Sequence, residues 1–340
     1  MSDVILEVRD LAVEFATYGG VVKAVRGVSF DVKRGKTLAI VGESGCGKSV
    51  TVQSIMGLIP IPPGRITSGS AQLDGREILY LSPDDSGRVR GVEIGMIFQD
   101  PMTSLNPTMR VGEQIAETLL VHRGATKRQA IARATELLDM TKIPEAAKRA
   151  RQYPFEFSGG MLQRAMIAMA IACNPAILVA DEPTTALDVT IQAQILELMS
   201  ELQRDEGMSI ILITHDLGVV AQMADDVAVM YAGEIVEHGE VDDVFYRCSH
   251  PYTHGLRQAM PRNDPNAQHR LMPIAGSPPD LFHPPDGCGY FARCPYAMRL
   301  CEHHRPPLFD IQDDRHRAAC WLQHESVTES VDELHQRSRV

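Results

Sequence analysis

Aromatic residues make up only 5% of this 340-residue chain, with a single tryptophan, which leaves little for a surface that stacks on nucleobases. Positive charge is also in deficit: 33 Lys and Arg stand against 44 Asp and Glu, for a net charge of −11. Such a surface repels phosphate backbones and anionic lipid headgroups, so nucleic acid is not an expected partner and any anion site must be local. No apolar run approaches the roughly 18 to 20 residues of a membrane helix. The longest, Ala165 to Cys173, stops at Asn174-Pro175. If the chain works at a membrane, other chains must span it. Met1 to Phe15 has no basic segment followed by an apolar stretch and a small-residue cleavage site, so a cytoplasmic location is expected. Also missing is the pair of cysteines two to four residues apart with which most zinc modules begin.

What remains is an ordinary globular balance, 44% apolar and 23% charged, with enough length for two or three domains. Val4 to Phe15 alternates as a strand does. Thr37 to Val41 runs as a second strand into a glycine-rich turn and a helical stretch, Lys48 to Leu58. Short apolar runs at Ile94 to Phe98, Ile177 to Ala180 and Ile210 to Thr214 read as buried strands of an α/β sheet. Between the first two of these, Val111 to Cys173 is mostly helical in pattern and looks inserted. Asp226 to His238 reads as a hairpin turning at Ala232-Gly233. Residues 251–320 hold 11 of the 21 prolines, which disfavours long helices and sheet strands there. The expected division is a nucleotide-binding domain over 1–245 with a helical subdomain over about 101–173, an extension over 246–324, and a polar tail over 325–340. Each motif occurs once, so one nucleotide-binding unit is expected.

Gly42-Glu43-Ser44-Gly45-Cys46-Gly47-Lys48-Ser49 matches the phosphate-loop pattern in full, at a strand-to-helix turn. Glycines let the backbone curl so that its N–H groups converge on phosphate oxygens, and the following helix adds its positive end. The residues expected on the nucleotide here are Gly42, Ser44, Gly45, Cys46, Gly47, Lys48, Ser49 and Val50. Lys48 would neutralise the β- and γ-phosphates, and Ser49 would ligate Mg²⁺. Ile177 to Ala180 ends in Asp181-Glu182. Asp181 would join the Mg²⁺ shell, while Glu182 would polarise the attacking water. His215, at the end of the run Ile210 to Thr214, falls where ligands of open α/β sheets collect.

Phe157-Ser158-Gly159-Gly160-Met161-Leu162-Gln163-Arg164 resembles the signature motif of ATP-binding cassette (ABC) ATPases and stands shortly before the Asp181-Glu182 strand, as in that family. A serine and two glycines opening a helix make a second anion-binding helix end. The resemblance implies a P-loop NTPase fold in which two chains close head to tail. Ser158, Gly159, Gly160 and Gln163 would then face the γ-phosphate held by the opposite chain. It further implies that Gln99 is the Q-loop glutamine and a Mg²⁺ ligand, that Ala186-Leu187-Asp188 is the D-loop with Asp188 at the dimer interface, and that His215 is the switch histidine. Glu182 and His215 would be the catalytic pair. Tyr18 is the chosen adenine-stacking aromatic, with Phe15 as the alternative. Phe157 and Met161 depart from the commonest form of the signature, whereas its Ser-Gly-Gly core is intact.

A narrower resemblance extends to about residue 320. Residues 99–107, residues 181–190 and His250-Pro251-Tyr252-Thr253 are similar to the ATPase subunits of dipeptide and oligopeptide importers, a group that includes nickel importers. This implies a peripheral subunit at the cytoplasmic face of the inner membrane that hydrolyses ATP to drive peptide uptake. Its implied partners are a second ABC ATPase subunit in a heterodimer, two transmembrane permease subunits and an extracytoplasmic substrate-binding protein. A nickel or other small-solute importer, and a soluble ABC protein outside transport, are the alternatives.

Cys288, Cys294, Cys301 and Cys320 are spaced C-x5-C-x6-C-x18-C. Four thiolates on proline-interrupted loops meet the ligand count of a [4Fe-4S] cluster, and the importer subunits that carry one in their extension show a similar arrangement. His303, His304 and His316 keep mixed Cys/His zinc ligation open, and free or redox-paired thiols are the third reading. A cluster here would act mainly as a staple. Cys173 and Cys248 read as packing residues.

Overall fold

The computed structural model describes residues 3–185, 187–260, 273–312 and 315–327. Ala186 of the D-loop match and residues 328–340 of the expected tail lie outside them. The described strands, in chain order, are β1 (Val4–Thr17), β2 (Gly20–Lys33), β3 (Thr37–Val41), β4 (Gly64–Leu73), β5 (Arg76–Glu77), β6 (Ile94–Ile97), β7 (Ile177–Asp181), β8 (Ser209–Thr214), β9 (Asp226–Tyr231), β10 (Glu234–Glu240), β11 (Phe309–Gln312) and β12 (His316–Ala318). The fold is mixed α/β. It divides into two compact units, one formed by 1–6, 32–37 and 72–213, the other by 7–31, 38–71 and 214–340.

In the first unit β6, β7 and β8 lie parallel, with Met96 opposite Val179 and Ala180 opposite Leu212. Every residue of β7 and β8 is buried, which is why both read as unbroken apolar runs rather than alternating ones. Glycine at position 95 is required by packing, because a Cβ there would lie 2.3 Å from the Ala170 carbonyl oxygen. That carbonyl ends the helix Gly159–Ala170, so helix and sheet meet without an intervening side chain. The helical segment contains Val111–Arg123 and Lys127–Met140, and the second of these begins with a capping box between Thr126 and Gln129.

In the second unit β3 pairs parallel with β9, Ile40 opposite Ala228. The chain then turns back through Ala232 (φ 50°) and Gly233 (φ 81°) into antiparallel β10, the two-residue turn whose twist suits a hairpin. A separate group of strands runs in the order β2, β1, β4. The helix Lys48–Ile55 is shorter than its sequence pattern, ending before Gly57 at φ 63°.

The proline-dense region departs from expectation. It supplies β11 and β12, antiparallel to each other, and β12 also pairs with β10. Pro306 and Pro307 stand just before β11, where they cost no ladder hydrogen bond. The helix Pro251–Gln258 uses its proline in the first turn and His250 as the cap. This region is anchored by Glu237 of β10, which is fully buried. Its carboxylate accepts from the Ser249 N–H at 2.6 Å, the His250 N–H at 3.0 Å and the His316 ring at 2.8 Å. Beside it, Tyr231, Tyr252 and Tyr290 pack ring on ring with centroids 4.5 to 5.4 Å apart. No helix among the described residues is long and apolar enough to cross a membrane.

Glu237→Ala strips a buried carboxylate from three donors. It should lower unfolding free energy by about 3 kcal/mol or more, measurable by denaturant titration, whereas exposed Glu136→Ala should change it by less than about 0.5 kcal/mol.

Candidate functional site

The phosphate loop leaves β3 and enters the helix Lys48–Ile55. Two glycines are there because the loop presses against other backbone: a Cβ on Gly42 would lie 2.1 Å from the Met230 carbonyl oxygen, and one on Gly47 2.4 Å from that of Ala24. Gly45 has open space around it and needs glycine only for its φ of +80°. Lys48 is buried, and its Nζ donates to the carbonyls of Gly42 at 2.8 Å and Glu43 at 3.0 Å. The ammonium is therefore held over the loop. Ser44 and Gly45 are exposed at its tip, Ser49 and Val50 are half-buried, and Cys46 is buried, with burial raising its thiol pKa. Tyr18 is fully exposed in the turn between β1 and β2. His215 is exposed just after β8.

In the first unit β7 delivers Asp181, buried, and then Glu182, whose backbone is left-handed at φ 48°. Such a conformation costs a non-glycine residue about 1 kcal/mol or more and recurs where side-chain direction matters. One Glu182 carboxylate oxygen accepts from Gln99 Nε2 at 3.0 Å and from Thr185 Oγ1 at 2.9 Å. The sequence separates Gln99 and Glu182 by 83 positions, and the parallel β6–β7 pairing brings them together. Because its nitrogen faces Glu182, the amide of Gln99 can turn its oxygen to a cation.

Ser158 caps the helix Gly159–Ala170, its Oγ accepting from the Met161 N–H at 3.4 Å. Gly159 has open space beside it, while a Cβ on Gly160 would press on Ile191 at 3.0 Å. Gln163, expected to face the opposite chain's γ-phosphate, lies further along the same helix and is 2% exposed, so its side chain is not presented at the helix end with Ser158 and Gly159. Asp188 caps the helix Val189–Glu206.

Cys288, Cys294, Cys301 and Cys320 line one cavity together with Tyr290, Phe291, Tyr296 and Trp321. All seven cysteines of the chain are free thiols, so redox-paired cysteines are not what the structure contains. Burial pushes the pKa of Cys288 up to about 11 and that of Cys294 up to about 12, and Cys320 is raised as well. Thiolates in such a setting require a compensating cation. Among the described residues, no group of three or more His, Cys, Asp or Glu closes around a single metal ion. The three histidines of the mixed-ligand reading are absent from the cavity. His316 pairs with Glu237, while His303 is exposed near Glu302. The histidine on the cavity wall is His250, which sequence reasoning missed as a site residue. Its Nδ1 accepts from the Tyr252 N–H, its Nε2 is buried without a partner, and burial lowers its pKa to about 3.

Comparison with known proteins agrees with this geometry. Residues 25–185 match the ABC transporter family model, and residues 236–301 match the oligopeptide/dipeptide transporter C-terminal region. The chain is 57% identical to the oligopeptide transport ATP-binding protein OppD of Bacillus subtilis, over 94% of this chain and 89% of that protein. It is 54% identical to the dipeptide transport ATP-binding protein DppD of the same organism, over 96% and 97%. Among solved structures it is similar to the ATP-binding cassette MJ0796, a dimer bound to ADP and phosphate. There the TM-score is 0.62 and the identity 28%, over 69% of this chain and 98% of that one.

The two glycine types predict different outcomes. Gly42→Ala should abolish nucleotide binding, because the carbonyl it strikes is backbone. Gly45→Ala should retain binding and cost about 1 to 2 kcal/mol of stability. Nucleotide titration and thermal unfolding of both variants check this.

Proposed function

This chain belongs to the ATP-binding subunits of the oligopeptide/dipeptide ABC transporter family, and on that premise we propose that it powers the uptake of di- or oligopeptides through separate membrane subunits. It is an ATPase whose hydrolysis is coupled to transport. The observation that carries the peptide reading is that the match to peptide-transport relatives runs through the C-terminal extension as well as the ATPase core. We divide the chain accordingly into an ATPase domain over 1–245, with its helical subdomain over 101–173, and an extension over 246–324.

Each residue has a role its chemistry suits. The amides from Gly42 to Ser49 and the ammonium of Lys48 bind the β- and γ-phosphates. Ser49, Gln99 and Asp181 offer a hydroxyl, an amide oxygen and a carboxylate, an all-oxygen donor set of the kind Mg²⁺ takes. The cation, when bound, offsets phosphate charge. Glu182, oriented by Gln99 and Thr185, accepts the proton of the attacking water, and His215 supports the γ-phosphate. Tyr18 is free to stack on adenine. Ser158, Gly159 and Gly160 present a capped helix end to the ATP of a second ATPase subunit, with Asp188 at the shared interface. The assembly would be a heterodimer on two permease subunits at the cytoplasmic face of the membrane, supplied by an extracytoplasmic binding protein.

For the cysteine cavity we infer a [4Fe-4S] cluster held by Cys288, Cys294, Cys301 and Cys320. Four cysteine thiols lining one cavity meet the ligand count of such a cluster, and a cluster there would staple the proline-dense loops.

Glu182→Gln should leave ATP binding within about twofold of wild type and lower steady-state hydrolysis by about 100-fold or more. Normal turnover would remove Glu182 from its role. Anaerobically purified protein should contain iron and acid-labile sulfide in equal amounts. Zinc in their place would contradict the cluster.

A further inference from the structure

Glu43 occupies the second position of the phosphate loop, where the pattern admits any residue, yet it is restrained at three points. Its N–H donates to the Tyr252 hydroxyl at 2.9 Å, and its carbonyl accepts from Lys48 Nζ at 3.0 Å. Its carboxylate is gripped at both oxygens by Arg293, at 2.6 and 3.0 Å. Two of these three restraints come from the C-terminal extension, about 210 and 250 residues away in sequence.

Arg293 is itself immobilised. Its side chain is only 5% exposed. Its Nε donates to the Ala275 carbonyl at 2.9 Å, and Nη1 donates to the Tyr231 hydroxyl at 3.1 Å. The guanidinium carbon lies 5.7 and 5.9 Å from the ring centroids of Tyr231 and Tyr290. Arg293 directly precedes Cys294, and Tyr290 shares the cysteine cavity. A planar guanidinium on a carboxylate fixes direction as well as distance, which the point charge of a lysine does not.

We propose that Arg293 is a positioning residue for the phosphate loop: its two-point grip on Glu43 keeps the loop amides in their phosphate-receiving curl, so that nucleotide affinity depends on the C-terminal extension. A loop ordered before the ligand arrives loses less freedom on binding. By linkage, nucleotide on the loop strengthens the grip by the same factor that the grip strengthens nucleotide. This holds whatever the four thiols bind, and whatever solute the transporter carries.

The test is equilibrium binding of MgADP to the full chain, which engages the loop without turnover. Arg293→Ala and Glu43→Gln should each raise the Kd about fivefold or more. Arg293→Lys should recover only part of the loss, and the double variant should bind no more weakly than the weaker single one. Circular dichroism and melting temperature confirm folding in each case. An unchanged Kd in folded Arg293→Ala, even with a lowered melting temperature, would overturn the proposal, as would single effects that multiply in the double variant. If Arg293→Ala does not fold, Glu43→Gln decides alone, and wild-type affinity in that variant sinks it.

Discussion

A backbone carbonyl, that of Met230, lies 2.1 Å from where a side chain on Gly42 would begin. The shape of the phosphate loop depends on that close approach. It forces the chain leaving β3 to curl with no Cβ between loop and strand end, and Gly47 repeats the constraint against Ala24. Such a curl is the general means by which backbone N–H groups and a helix end are turned on an anion, and here Lys48 Nζ is held over it by the Gly42 and Glu43 carbonyls. That is how a chain with net charge −11 can hold a polyanion.

The same strand ends carry the extension. β9 and β10 supply Tyr231 and Glu237, around which Tyr252, Tyr290, His250 and His316 assemble. The buried carboxylate of Glu237 is met by three donors from two separate segments, Ser249-His250 and His316, the condition under which a buried charge stabilises rather than destabilises. The end of β9 touches both neighbours, Met230 against the phosphate loop and Tyr231 against Tyr290 of the cysteine cavity, and the Arg293–Glu43 pair links loop and extension side chain to side chain.

Much of this was legible in sequence where the cause is local. β3, β7 and β8 are apolar runs because both faces are covered, the hairpin turn at Ala232-Gly233 is written in two residues, and the phosphate loop is a contiguous pattern. β2 is not legible in sequence, because Lys23, Arg26 and Asp31 interrupt its apolar residues. Proline density argues against β11 and β12, yet Pro306 and Pro307 precede the ladder and β12 is held by β10, some 80 positions away. Side-chain partners suffered most. His316 looked like a metal ligand until its partner proved to be Glu237, and His250 looked like part of a motif until its ring proved to line the cavity. Nothing in Glu43 or Arg293 alone announces the other, since 250 positions separate them.

The central claim is the conversion of nucleotide chemistry in this chain into solute movement by other chains. Its most direct test is simultaneous measurement of phosphate release and labelled dipeptide accumulation in vesicles that contain this chain, its partner ATPase, two permease subunits and the binding protein. The predicted result is peptide accumulation against its gradient only with ATP, and phosphate release that rises when peptide and binding protein are added. Phosphate release indifferent to peptide, with no accumulation inside the vesicles, would contradict it.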